Sequence, residues 1–81
     1  MYTEKELGQM LRNKYENAPR NEQVLMIHLF GIEFRQLILD KKYKIANIIY
    51  EAGINESYKT ELSKGVKLGK YVEIKSDKKL S

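Results

Sequence analysis

Apolar residues recur at three- and four-residue spacing through most of the first 65 positions, which predicts helices that each bury one face. Leu7, Met10, Leu11 and Tyr15 form such a stripe on a first helix over residues 3–17. Thr3 followed by Glu6 fits a capping box, in which each side chain takes a free N–H at the helix start. Asn17-Ala18-Pro19 stops the helix, because proline disfavours helical geometry in the residue before it. Asn21 is expected to cap a second helix over 21–39. Its apolar positions, Val24, Leu25, Ile27, Leu29, Phe30, Ile32, Phe34, Leu37 and Ile38, leave little polar face. A helix that is apolar nearly all round is buried nearly all round, so this one is central or shares a face with a second subunit. A buried strand over 24–30 fits the same run. Arg35, Gln36 and the lack of a turn signal before Asp40 favour the helix.

The punctuation after Asp40 predicts shorter pieces. Asp40-Lys41-Lys42-Tyr43 reads as a polar connector, and a third helix follows with Ile45, Ile48, Ile49 and Ala52 inward. Gly53 supplies the left-handed exit, Ile54 tucks in, and Asn55 caps a fourth helix over 56–64. Gly65 breaks or ends that helix. Residues 71–75 alternate apolar and polar, as in a short strand or an extended arm. Tyr15, Tyr58 and Tyr71 fall at core-type spacing. The expected organisation is one domain over 1–75, with a helix-turn-helix unit near 44–65 and a flexible tail at 76–81.

Composition narrows the chemistry. The chain has 81 residues, 42% hydrophobic and 32% charged, with five Gly and one Pro, as in a small globular protein. Zero Cys removes disulfides, thiol catalysis and thiolate metal sites. A single His and two Asp leave little for a Ser–His–Asp relay or a histidine metal cage. No enzyme, cofactor, metal or small-molecule substrate is therefore expected, and His28 reads as a core or interface residue. The longest apolar stretch, 24–32, is interrupted by His28 and falls short of the about 20 residues that span a bilayer. The N-terminus lacks the basic-then-apolar order of a signal peptide, so a cytoplasmic location is expected.

Charge is lopsided. The net charge is +4, but residues 1–40 carry −1 and residues 41–81 carry +5. A basic half on a small chain points to a polyanion, most often nucleic acid; the alternative is a lysine-rich solvated surface.

Residues 45–70 carry the one constellation with a function. Two short helices joined by a turn of three or four residues containing Gly make a helix-turn-helix. Ala52 is small before the turn, Gly53 accepts an unusual backbone angle, Ile54 plugs the gap, and Tyr58 and Leu62 face the core four residues apart. That leaves Glu56, Ser57, Lys59, Thr60, Ser63, Lys64 and Lys67 outward. Serine and threonine hydroxyls bond base edges or phosphates, and lysine reaches guanine acceptors or backbone oxygens. Glu61 suits a cytosine amino group. Asn55 holds the helix N-terminus, with its free N–H groups, toward a phosphate. The candidate DNA-binding set is thus Asn55, Ser57, Lys59, Thr60, Glu61, Ser63, Lys64 and Lys67. Lys41, Lys42 and Lys44 before the unit, with Lys70 after it, flank this face. The alternative is a helical hairpin that only packs, with Glu51, Glu56 and Glu61 repelling phosphates.

Ala52-Gly53-Ile54-Asn55-Glu56-Ser57-Tyr58, then Leu62 and Gly65-Val66-Lys67, resembles the stretch A-G-[IL]-x-x-S-Y-x-x-x-[IL]-x-x-G-x-K of Cro/repressor (XRE-type) helix-turn-helix domains. The whole chain, including Leu29-Phe30-Gly31-Ile32 and Tyr71-Val72, also resembles a family of small bacterial HTH-like domain proteins. The repressor resemblance implies that Ser57, Thr60, Glu61 and Lys64 face bases and that Asn55 faces phosphate. The chain departs from that pattern at Ile49, where Ala is usual, and at Lys59, where a β-branched residue or Leu is usual. A larger Ile49 is expected to push the two helices of the unit apart. Only two helices precede the unit, unlike the five-helix repressor domain.

The expected fold is all-α, a four-helix helix-turn-helix domain with a short C-terminal strand or arm. The expected function is double-stranded DNA binding, in transcriptional control or as an accessory of a mobile element or restriction system. A homodimer through the second helix or the 71–75 arm accompanies it. Two rivals remain open: a protein–protein interaction module working through the apolar second helix, and an RNA or general polyanion binder.

Overall fold

Each half of the chain supplies one helix to each of two closely crossed pairs. The computed structural model describes residues 1–75, which form α1 (Glu4–Glu16), α2 (Gln23–Asp40), α3 (Ile45–Ala52) and α4 (Tyr58–Leu68), with no strand among them. The fold is all-α, as the periodicity predicts. The core takes Leu7 and Leu11 from α1, Ile27, Phe30, Phe34 and Ile38 from α2, Ile48, Ile49 and Ala52 from α3, and Leu62 and Val66 from α4. No polar residue is buried among the described residues.

The start of α1 follows local chemistry. Thr3 Oγ1 accepts from the Glu6 N–H at 3.1 Å, and Glu6 Oε1 accepts from the Thr3 N–H at 2.9 Å. The Thr3 backbone hydrogen bond holds the Glu6 carboxyl below its usual range.

The run 24–30 is helical, not a strand. Asn21 is not its cap: it adopts φ 68°, a left-handed conformation that asparagine tolerates, in a turn closed by the Glu22 N–H on the Pro19 carbonyl. No side chain caps α2. Nor is α2 buried all round, since Val24, Leu25 and Leu39 stay 40%, 48% and 47% exposed. Its C-terminus closes in a Schellman motif, with Tyr43 N–H on the Ile38 carbonyl and Lys42 N–H on the Leu39 carbonyl. Lys42, at φ 54°, occupies the position that glycine usually fills.

The α1–α3 pair crosses at Gly8, where a Cβ would lie 2.9 Å from the Ala52 backbone nitrogen. The α2–α4 pair crosses at Gly31 and Gly65. A Cβ on Gly31 would lie 2.7 Å from the Val66 nitrogen, and one on Gly65 would lie 2.9 Å from the His28 Cα. Gly65 therefore does not end the fourth helix; α4 runs through it to Leu68, and its missing side chain lets two backbones touch. Direct contact between α3 and α4 is the slightest of the helix pairings. Ile49 is fully buried, and the small Ala52 lets α1, rather than α4, come close.

The turn between α3 and α4 spans residues 53–57, longer than the expected three or four. Gly53 takes φ 69° as expected, its N–H bonding the Ile49 and Tyr50 carbonyls. α4 begins at Tyr58 rather than at residue 56. Tyr15 and Tyr58 pack edge to face, with hydroxyls 3.2 Å apart, whereas Tyr71 is 80% exposed and is not a core residue. Residues 72–75 form no strand and border a groove with Leu25, Met26, Leu29 and Ile32 of α2. The tail expected at 76–81 lies outside the described residues. Among those described, no helix is long and apolar enough to cross a membrane.

Candidate nucleic-acid interface

The helical period of α4 sorts its side chains onto two faces. Leu62, Gly65 and Val66 turn inward, with Tyr58 half-buried beside them. Lys59, Thr60, Ser63, Lys64 and Lys67 share one shallow outward depression, closed on its far side by Ile45 from the start of α3. Five of the eight candidate residues therefore meet on one surface. Among the described residues, Lys59, Thr60, Ser63 and Lys67 have no side-chain hydrogen-bond or ion-pair partner.

Asn55 and Ser57 lie together at the head of this surface, but in a different role from the one expected. The Asn55 side-chain oxygen accepts the Ser57 N–H at 2.8 Å. The Tyr58 and Lys59 N–H groups bond the Asn55 and Glu56 carbonyls. These three N–H groups are spent inside the turn, so Asn55 closes the turn rather than presenting a free helix N-terminus.

Glu61 stands apart from the other candidates. Its carboxylate accepts from His28 Nε2 of α2 at 2.7 Å, and Lys64 Nζ lies 3.6 Å away. The His28 hydrogen bond holds the Glu61 carboxyl below its usual range, against the opposing effect of burial, with Lys64 assisting. This places a carboxylate beside the lysines yet ties it back to the body of the protein.

Several residues that hold this face carry no local signal in the sequence. Arg35 of α2 donates to the Val66 carbonyl of α4. With His28 and Gly31 it forms one line on α2, at helical spacing, along which α4 lies. On the other pair, Glu4 of α1 accepts the Lys44 N–H at 2.8 Å and the Asn47 amide at 3.2 Å, capping α3 from a distant part of the chain. Arg12 donates to the Ala52 carbonyl at 3.3 Å, at the other end of α3. Glu4, Gly8 and Arg12 are again four residues apart, so one face of α1 grips α3 at both ends and the middle.

The model of the family described as the HTH-like domain matches residues 3–75. The chain belongs to the HTH-like domain family. No curated protein and no solved structure gives a significant match to it. The family agrees with the helix pair and the left-handed glycine between its members, and points to DNA binding in general. In this HTH-like domain no group of three His, Cys, Asp or Glu among the described residues is placed to hold a metal ion.

Proposed function

We propose that this HTH-like domain binds double-stranded DNA with the outward face of α4 in the major groove. The observation that carries the reading is the gathering of Lys59, Thr60, Ser63, Lys64 and Lys67 on one exposed surface. An α-helix with its side chains is about 10–12 Å across, and B-DNA's major groove is about 12 Å wide. In that pose the lysines reach phosphates or guanine acceptors, and Thr60 and Ser63 meet base edges. Ser57 and the Asn55 amide lie at the leading end, next to a phosphate. Glu61 serves as a fixed charge that orients Lys64 rather than as a reader of cytosine.

One such unit makes few base contacts, so the protein works as a homodimer joined through the exposed Val24 and Leu25 end of α2. Half-sites are then about 34–36 Å apart. The setting is intracellular, in transcriptional control or as an accessory of a mobile element or restriction system. A second reading, a protein-interaction module, has its own observation: the groove between α2 and residues 72–75, floored by Leu25, Leu29 and Ile32.

Selection of binding sites from a random duplex library, followed by anisotropy titration, separates the two. The DNA reading expects an enriched sequence whose preference relaxes in Thr60→Ala/Lys64→Ala. No duplex binding at micromolar protein contradicts it and favours the interaction module.

A further inference from the structure

The C-terminal end of α4 carries an aromatic patch that the duplex-facing surface does not use. Tyr71 is 80% exposed and Leu68 43% exposed. The two form the floor of a shallow depression bordered by His28, Lys64 and Lys67. Lys70 Nζ stands 6.0 Å from the centre of the Tyr71 ring. Lys64 and Lys67 also line the depression shared by Lys59, Thr60 and Ser63, so the two surfaces are continuous.

We propose that this patch takes an unpaired nucleotide adjoining a duplex seated on α4. Its base stacks on Tyr71, and its phosphate lies beside Lys70, which the duplex-facing depression does not include. The inference rests on the DNA-binding reading and names its substrate class: duplex with an overhang, bulge or junction. Charge selects this occupant. Lys67 at the rim and Lys70 beside the ring, with Lys64 already paired to Glu61, add nothing for an apolar protein partner. A nucleic-acid strand, in contrast, offers a π-face and a phosphate at every residue. Pairing state narrows it further. An interior base of a duplex is covered on both faces by its neighbours, so away from the duplex ends only a base outside the stack can lie against an aromatic ring. Tyr71 sits past the end of α4, at the edge of the surface proposed to enter the groove.

The chain contains no Trp, so Tyr71→Trp introduces a single indole reporter. This variant and the wild type are titrated with a blunt duplex and with the same duplex carrying a short single-stranded overhang. The expected result is quenching of Trp emission by the overhang duplex alone. Wild-type affinity for that duplex is expected to be about 5- to 150-fold tighter than for the blunt one, the size of one stacked base. Tyr71→Ala brings the overhang-to-blunt ratio to one, and Tyr71→Phe keeps it. Tight blunt binding with no overhang advantage overturns this inference and leaves the duplex reading standing. Overhang binding with quenching but no blunt binding overturns the duplex reading and supports the patch. Concentration-dependent change of Trp emission without nucleic acid overturns the inference by assigning the patch to self-association.

Discussion

Single residues decide how α4 is held against α2. Gly65 invites reading as a helix breaker, because glycine is a poor helix former and nothing in its neighbourhood marks a partner. The partner is the His28 backbone, more than thirty positions away. Gly65→Ala therefore sets two effects against each other: a gain in helix propensity of about 1 kcal/mol and an overpacking cost of about 1–3 kcal/mol. Because the new methyl group meets rigid backbone rather than a flexible side chain, the cost wins. Denaturant unfolding should show net destabilisation; a stabilised variant would mean that the helices do not cross there. His28 and Glu61 make a second long-range tie. The Glu61 carboxyl titrates below its usual range, so the tie adds stability above that range and loses it as pH falls through the lowered value. The acid-unfolding curve of His28→Ala should lie below wild type at neutral pH and merge with it at strongly acid pH. A constant offset at every pH would show that the histidine contributes packing alone.

At the scale of elements, what was legible is what neighbours in sequence dictate. The apolar stripes, the Thr3–Glu6 capping box and the left-handed Gly53 all follow from residues within a few positions of one another. So does the lysine and hydroxyl face of α4. The ends that differ from expectation are those of α4, at Tyr58 and Leu68 rather than 56 and 64, and the start of α2, where Asn21 does not cap; what fixes helix ends is often not local. Asn21 and Lys42 carry left-handed backbone, and α3 takes its cap from Glu4 across the fold. The apolar run leaves α2 either central or sharing a face with a second subunit, and the exposed Val24, Leu25 and Leu39 exclude the first, because hydrophobicity reports what burial would favour and not what covers it. Two stability predictions follow from the helix ends. Glu4→Ala removes the acceptor at the start of α3 and should cost about 0.5–2 kcal/mol, as lost caps do. Lys42→Gly relieves a left-handed residue whose strain is about 1–2 kcal/mol, offset in part by glycine's greater chain entropy, and should raise the melting temperature. A lowered melting temperature would contradict the Schellman geometry at the end of α2.

For the whole molecule, the separation of labour between the helix pairs matters most. α1 holds α3 and α2 holds α4, so the helix-turn-helix is braced from behind and its two members need little direct contact. This arrangement accommodates Ile49 without loss of the turn and leaves the outer side of α4 uncovered by the described residues. The basic excess of the second half of the sequence then has a place on the surface, at Lys59, Lys64 and Lys67. Lysines elsewhere in that half, such as Lys41 and Lys42, lie off this depression. Replacing those two should weaken all duplexes alike, whereas changing Thr60 alters which duplex is preferred.

The most direct test of an α4 seated on DNA is the salt dependence of duplex binding in wild type and in Lys59→Ala/Lys64→Ala/Lys67→Ala. The log–log slope should be negative by about 0.9 for each phosphate neutralised, and the triple variant should lose about three such contacts while keeping its melting temperature. An identical slope in the two proteins, or wild-type binding that ignores salt, would contradict the account.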